Sequence, residues 1–77
     1  MNIYPNPTNG VFHLSIRSGD LQSYRVKVVN LIGQTIADRM VPAHEDVRFD
    51  LSGNPKGVYF LQIENGSEMI IRRIVVQ

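Results

Sequence analysis

Seventy-seven residues make one domain or part of one, since a single hydrophobic core spans roughly 50–200 residues, and fractions of 43% hydrophobic and 19% charged are those of a folded chain rather than a disordered one. Eight Lys+Arg against seven Asp+Glu leave a net charge of +1, too little to hold nucleic acid or an anionic membrane by charge alone. Without cysteine there is no disulfide scaffold, thiolate zinc site or thiol nucleophile, and no apolar run approaches the roughly 18 residues of a helical membrane span.

Val and Ile together number 17, against two Ala and five Leu. Branching at Cβ restricts χ1 in a helix and packs well on a pleated surface, so this bias predicts strands. Residues 2–4 form a short extended stub before Pro5-Asn6-Pro7-Thr8-Asn9-Gly10, where two prolines fix φ, Asn and Thr bond to nearby backbone, and Gly10 permits a positive φ. Residues 11–17 alternate, with Phe12, Leu14 and Ile16 on one face and His13, Ser15 and Arg17 on the other, and Ser18-Gly19-Asp20 closes the strand. Residues 24–31 place Tyr24, Val26 and Val28 opposite Arg25 and Lys27, and the chain turns at Gly33.

A fourth segment, residues 34–41, sets Ile36 and Met40 against Thr35, Ala37 and Arg39, and a fifth, residues 46–51, points Val47, Phe49 and Leu51 inward. Ser52-Gly53-Asn54-Pro55-Lys56-Gly57 is the longest turn. Residues 58–64 then alternate Tyr59, Leu61 and Ile63 against Val58, Phe60 and Gln62, and Asn65-Gly66 predicts a tight hairpin. In the last segment, residues 68–77, Met69 and Ile71 have one parity and Ile74 and Val76 the other. A β-bulge would restore one buried face and is preferred over a strand with both faces partly covered. Turns every 8–12 residues between short strands describe an all-β sandwich or small barrel built around Phe12, Leu14, Ile16, Val26, Val28, Ile36, Val47, Phe49, Tyr59, Leu61 and Ile63.

Little in the chain supports catalysis. His13 lies on a polar strand face and His44 in a Pro42-Ala43-His44-Glu45-Asp46 turn, both reading as solvated surface histidines. Glu45, Asp46 and Asp50 lack the ligand spacing of a calcium loop. None of Ser15, Ser18, Ser23, Ser52 and Ser67 stands in a G-x-S-x-G elbow, and the glycines form no phosphate loop. Asn65-Gly66-Ser67 matches a glycosylation acceptor, but the hairpin accounts for it. The reading is a non-enzymatic module that needs no cofactor or metal. A sugar-binding or adhesion module is the competing class, disfavoured by the absence of Trp and by the inward phase of Tyr24 and Tyr59.

Taken in order, Tyr4-Pro5-Asn6-Pro7-Thr8-Asn9-Gly10 with Phe12, Val26-Lys27-Val28-Val29-Asn30-Leu31-Ile32-Gly33-Gln34, Phe49-Asp50-Leu51-Ser52, Gly57-Val58-Tyr59-Phe60-Leu61-Gln62-Ile63 and Arg73-Ile74-Val75-Val76 resemble the type A C-terminal sorting domain of the type IX (Por) secretion system. The resemblance covers essentially all 77 residues. It implies an immunoglobulin-like antiparallel β-sandwich of about seven strands, residues 1–77 being a single sorting domain cut from a longer secreted cargo. It also implies partners: the outer-membrane type IX translocon, a sortase-like protease that removes the domain, and a cargo domain upstream in cis. The route runs through the periplasm and outer membrane of a Gram-negative bacterium to the cell surface. Residues 1–20 have neither a basic start nor a continuous apolar segment, so an export signal is expected further upstream. The candidate recognition residues are Tyr4, Pro5, Asn6, Pro7, Asn9, Gly10, Gly33, Gly57, Tyr59, Arg72 and Arg73. Where the family usually has Lys near the end and a basic last residue, this chain has Arg72-Arg73 and Gln77.

Overall fold

A computed structural model of the chain describes residues 1–17, 22–66 and 68–77. The turn expected at Ser18-Gly19-Asp20 and the serine of Asn65-Gly66-Ser67 lie outside the described residues. Seven strands follow in order: β1 Asn2–Tyr4, β2 Val11–Ser15, β3 Ser23–Val29, β4 Thr35–Pro42, β5 Asp46–Asp50, β6 Gly57–Asn65 and β7 Glu68–Val76. All seven predicted segments are strands, and no helix occurs among the described residues.

The strands pair antiparallel into two sheets, of order β1-β2-β5 and β4-β3-β6-β7. The fold is therefore an immunoglobulin-like sandwich rather than a barrel. Alternation puts one face of every long strand into the space between the sheets. Phe12, Leu14, Val26, Val28, Val41, Leu61 and Ile74 are fully buried there, with Ile16, Tyr24, Phe49, Leu51, Tyr59, Ile63 and Val76 nearly so. Phe12 and Phe49 pair across β2 and β5 and stack with centroids 5.2 Å apart. Ile36 and Val47, expected in the core, pack at its margin.

Two expectations need correction, and both concern parity. No bulge interrupts β7, because its pairing with β6 runs unbroken from Gly57 opposite Val76 to Asn65 opposite Glu68. Tyr59, Leu61 and Ile63 fix the inward phase of β6, so Ile74 and Val76 face the core while Met69 and Ile71 are left on the outer face, 50% and 54% exposed. The register shift lies instead between β3 and β4, where Val28 opposes Ala37 but Val29 opposes Thr35, and Ile36 is the extra residue. Beyond it Ala37, Arg39 and Val41 take the inward parity, so Val41 is buried and Met40 is exposed. Arg39, at the rim, closes the gap between β4 and β5 by donating to the Arg48 carbonyl (2.7 Å), its guanidinium 5.1 Å from the Phe49 ring centroid.

The β6–β7 hairpin closes on the Asn65–Glu68 pair with Gly66 at φ 60°, one residue later than the Asn-Gly reading. Because neighbouring strands run in opposite directions, successive connections fall at opposite ends. Residues 5–10, 30–34, 51–56 and the terminal Gln77 gather at one pole, tied across the sheets by hydrogen bonds from the Thr8 amide to the Val75 carbonyl (2.9 Å) and the Gln77 amide to the Thr8 carbonyl (2.8 Å), and within the three-stranded sheet by one from the Leu51 amide to the Gly10 carbonyl (2.7 Å). Met1, the β4–β5 turn and Gly66 lie at the other.

Candidate functional site

The singled-out residues fall into two groups at the first pole. The first is a clasp along the outer edge of β7. After β1 the chain crosses to the other sheet, with cis peptide bonds preceding Pro5 and Pro7. Thr8 forms a parallel bridge with Val76. The Asn6 side chain takes the place of a strand backbone: its amide donates to the Arg73 carbonyl (3.0 Å), and its Oδ1 accepts from the Val75 amide (3.2 Å). Buried Thr8 holds the turn from inside, its hydroxyl donating to the Val11 carbonyl and accepting from the Gly10 amide (3.1 Å). Asn9 accepts from the Val11 amide (3.3 Å). Pro5 and Pro7 are exposed. Gly10 sits at φ 124°, and a Cβ there would lie 3.0 Å from the Ser52 Cα. Asn6 is thus brought against Arg73, although it is the Arg73 backbone that it holds.

The second group surrounds an open groove of about 420 Å³ lined by Asn30, Leu31, Ile32, Ile36, Pro55 and Val58 among others. Asn30 organises one wall. Its Oδ1 accepts from the Ile32 and Gln34 amides (3.2 and 2.9 Å), its side-chain amide donates to Gln34 Oε1 (2.8 Å), and the Gly33 amide donates to its carbonyl (3.0 Å). Gly33, at φ 85°, completes the turn. The product is a pinned loop that holds Leu31 and Ile32 out in solvent, 71% and 79% exposed. Gly57 and Tyr59 form the opposite wall. Tyr59 buries its ring, and its hydroxyl donates to the Pro55 carbonyl four residues upstream, the tyrosine-corner arrangement of immunoglobulin-like sandwiches. Gly57 pairs with Val76, which also bridges Thr8, so clasp and groove are contiguous.

Arg72 and Arg73 do not converge. Arg72 has the inward parity but is exposed at the sheet edge, and Arg73 lies on the outer face opposite Phe60. Tyr4 stands apart as well, half-exposed on the outer face of the three-stranded sheet. It stacks on His13 (centroids 5.3 Å) and donates to an Asp46 carboxylate oxygen, while His13 Nδ1 lies 3.0 Å from the other. This ties β1, β2 and β5 together on the solvent side. Among the described residues no cluster of three or more His, Cys, Asp or Glu could hold a metal ion. Sequence reasoning missed Thr8, Leu31 and Ile32. The first looked like an ordinary turn residue and the others like part of the connection that turns at Gly33.

Hydrogen bonds from Tyr4 and then His13 hold the Asp46 carboxyl below the usual carboxylate range, Arg25 does the same for Asp38 (bidentate, 3.1 and 2.8 Å), and the Ser52 hydroxyl and amide do so for Asp50. A carboxyl with a depressed folded-state pKa contributes stability above its unfolded value, about 3.9, and loses it as pH falls through the folded value. The melting temperature will therefore hold level down to roughly pH 5 and decline below about pH 4. Asp46→Asn will flatten that decline, and an unchanged acid limb in thermal melts of this variant would show that the cluster contributes nothing.

The class these features define is a small immunoglobulin-like β-sandwich module. A model of the family described as Secretion system C-terminal sorting domain matches residues 2–77, and the chain belongs to that family, the type IX sorting domains. The family is one of sorting signals, not of enzymes. Comparison with curated proteins gave no match.

Proposed function

We propose that this domain is the C-terminal signal of a longer cargo, that the outer-membrane type IX translocon reads it as a folded sandwich, and that the reading face is the pole carrying the clasp and the groove. The observation that carries this reading is the pinned display of Leu31 and Ile32 beside the groove. Two large aliphatic side chains, 71% and 79% exposed on a loop held by five hydrogen bonds, contribute nothing to the core. Rigid exposed apolar groups of this kind mark interaction sites. A cargo joined ahead of Asn2 leaves from the opposite pole, so the reading face points away from it. Pro5, Asn6, Pro7, Asn9, Gly10, Gly33, Gly57 and Tyr59 act here mainly by shaping that face, while Tyr4 braces the three-stranded sheet behind it. Arg72 and Arg73 add charge beside it. Removal by a sortase-like protease, with attachment of the cargo to a surface lipopolysaccharide, follows as the second stage of the same route in a Gram-negative cell.

A reporter with a periplasmic signal, fused ahead of residues 1–77, will cross the outer membrane only in cells with a working type IX system. Leu31→Ser/Ile32→Ser will reduce export at least tenfold while stability changes by no more than about 0.5 kcal/mol, as for other exposed positions. Full export of a normally folded double variant would remove this pole as the reading face. Retention of the unmodified fusion in the periplasm of a competent host would remove the sorting role itself.

A further inference from the structure

The outer edge of β7 is only half covered. Asn6 and Thr8 engage the Arg73 carbonyl, both backbone groups of Val75 and the Gln77 amide, so the odd-numbered residues of β7 turn their backbone groups away from β6. With no register shift in the strand, Met69 and Ile71 point theirs the same way, and no strand lies beyond them among the described residues. The Ile71 carbonyl accepts only a local bond from the Arg72 guanidinium (3.2 Å). An uncovered strand edge of this kind is a template for pairing.

The side chains along it are complementary to their own reverse order. Residues 68–72 are Glu-Met-Ile-Ile-Arg, a basic end, an acidic end and three apolar residues between. All are exposed except half-buried Ile70, and neither Glu68 nor Arg72 has an ion-pair partner among the described residues. We propose that two copies of this chain associate edge to edge through residues 68–72, antiparallel about a twofold axis at Ile70. In that register Glu68 of each copy faces Arg72 of the other, Met69 faces Ile71, and Ile70 faces Ile70. Met69 and Ile71 are also the residues whose backbone groups point outward, so they form the hydrogen-bonded pairs. Every cross-strand pair lies on one face of the joined sheet, as antiparallel pairing requires. The contact is isologous and closes on itself. Its extent is limited at Arg73 by the Asn6 clasp. Five residues a side make a weak dimer, with a dissociation constant on the order of 0.1–1 mM, and it does not depend on the sorting role.

Sedimentation velocity of the 77-residue chain at low salt will show a dimer fraction that rises with concentration and falls as salt is added. Glu68→Lys puts like charges at both ends of the contact, as does Arg72→Glu, and each variant alone will dimerise at least tenfold more weakly. An equimolar mixture of the two restores opposite charges at both ends and will dimerise like the parent. In the unmodified chain, hydrogen exchange at the Met69 and Ile71 amides will slow with concentration while that at Val75 stays constant, a readout that needs no variant. A chain monomeric up to about 1 mM, a mixture no more associated than its parts, or concentration-independent exchange at Met69 and Ile71 would each overturn the proposal. A dimer unaffected by either reversal would do so too, since it uses another contact such as strand exchange.

Discussion

Replacing Tyr59 with alanine will destabilise this domain by about 3–5 kcal/mol, the range for deleting a large aromatic from a packed core. The ring is 4% exposed and sits at the start of β6, among residues of both sheets, so the cavity cannot be filled by a small local shift. The hydroxyl adds a second loss, because the Pro55 carbonyl is left without the donor that anchors the 51–56 turn. Total stability for a chain of 77 residues is roughly 4–12 kcal/mol, so the variant will lose at least about a quarter of it. Tyr59→Phe separates the two effects, keeping the ring and removing the hydroxyl, and will lose about 0.5–1.5 kcal/mol. Guanidinium titrations of the three proteins decide the matter. A Tyr59→Ala midpoint near the parent's would mean that the core does not depend on this ring.

Gly10→Ala will have the next largest effect. Its φ of 124° is a conformation that side-chain-bearing residues rarely adopt, and the added methyl would press on the Ser52 backbone, which cannot rotate away. Backbone strain of about 1–3 kcal/mol combines with overpacking of about 1–3 kcal/mol. Gly33→Ala supplies the control. Gly33 also has a positive φ, 85°, but nothing lies within 4 Å of the added Cβ, so only the backbone strain applies. Equal losses in the two variants, measured by denaturant titration, would show that the approach of Gly10 to Ser52 is not tight. The comparison also separates a glycine needed for its turn from one needed for a close approach, which the sequence alone presents identically.

Strand identity was legible because the signal is local. Alternation in β2, β3, β5 and β6 needs only the side chains of one strand and one buried face, and these four segments bury the residues their patterns predict, save that Val47 of β5 packs at the margin. The failures share a cause in pairing between strands. Nothing within residues 34–41 shows that Ile36 is the extra residue against β3, so the inward parity passed to Met40 on paper and belongs to Val41 in the fold. In β7 the reverse happened. Two apolar phases invited a bulge, whereas the unbroken register with β6 leaves Met69 and Ile71 outside.

The candidate site was half legible for the same reason. Turn chemistry marked residues 5–10, Gly33 and Gly57, but the gathering of their turns at one pole follows from antiparallel order. The partnership of Asn6 with Arg73 and Val75 joins positions 67 and 69 residues apart. Leu31 and Ile32 read only as part of a connection turning at Gly33, and only the Asn30 hydrogen bonds show that they are held in the open.

The parallel bridge between Thr8 and Val76 brings the two ends of the domain's sequence into one structure. A polypeptide that stops before Glu68 still contains the Pro5-Asn6-Pro7-Thr8-Asn9-Gly10 turn, but that turn has no β7 to fasten to, and β6 lacks the neighbour that covers its far edge. The pole therefore reports that the last strand of the domain is present and paired. Chains truncated within the domain cannot display it, so recognition of this surface would distinguish an intact domain from a fragment of one.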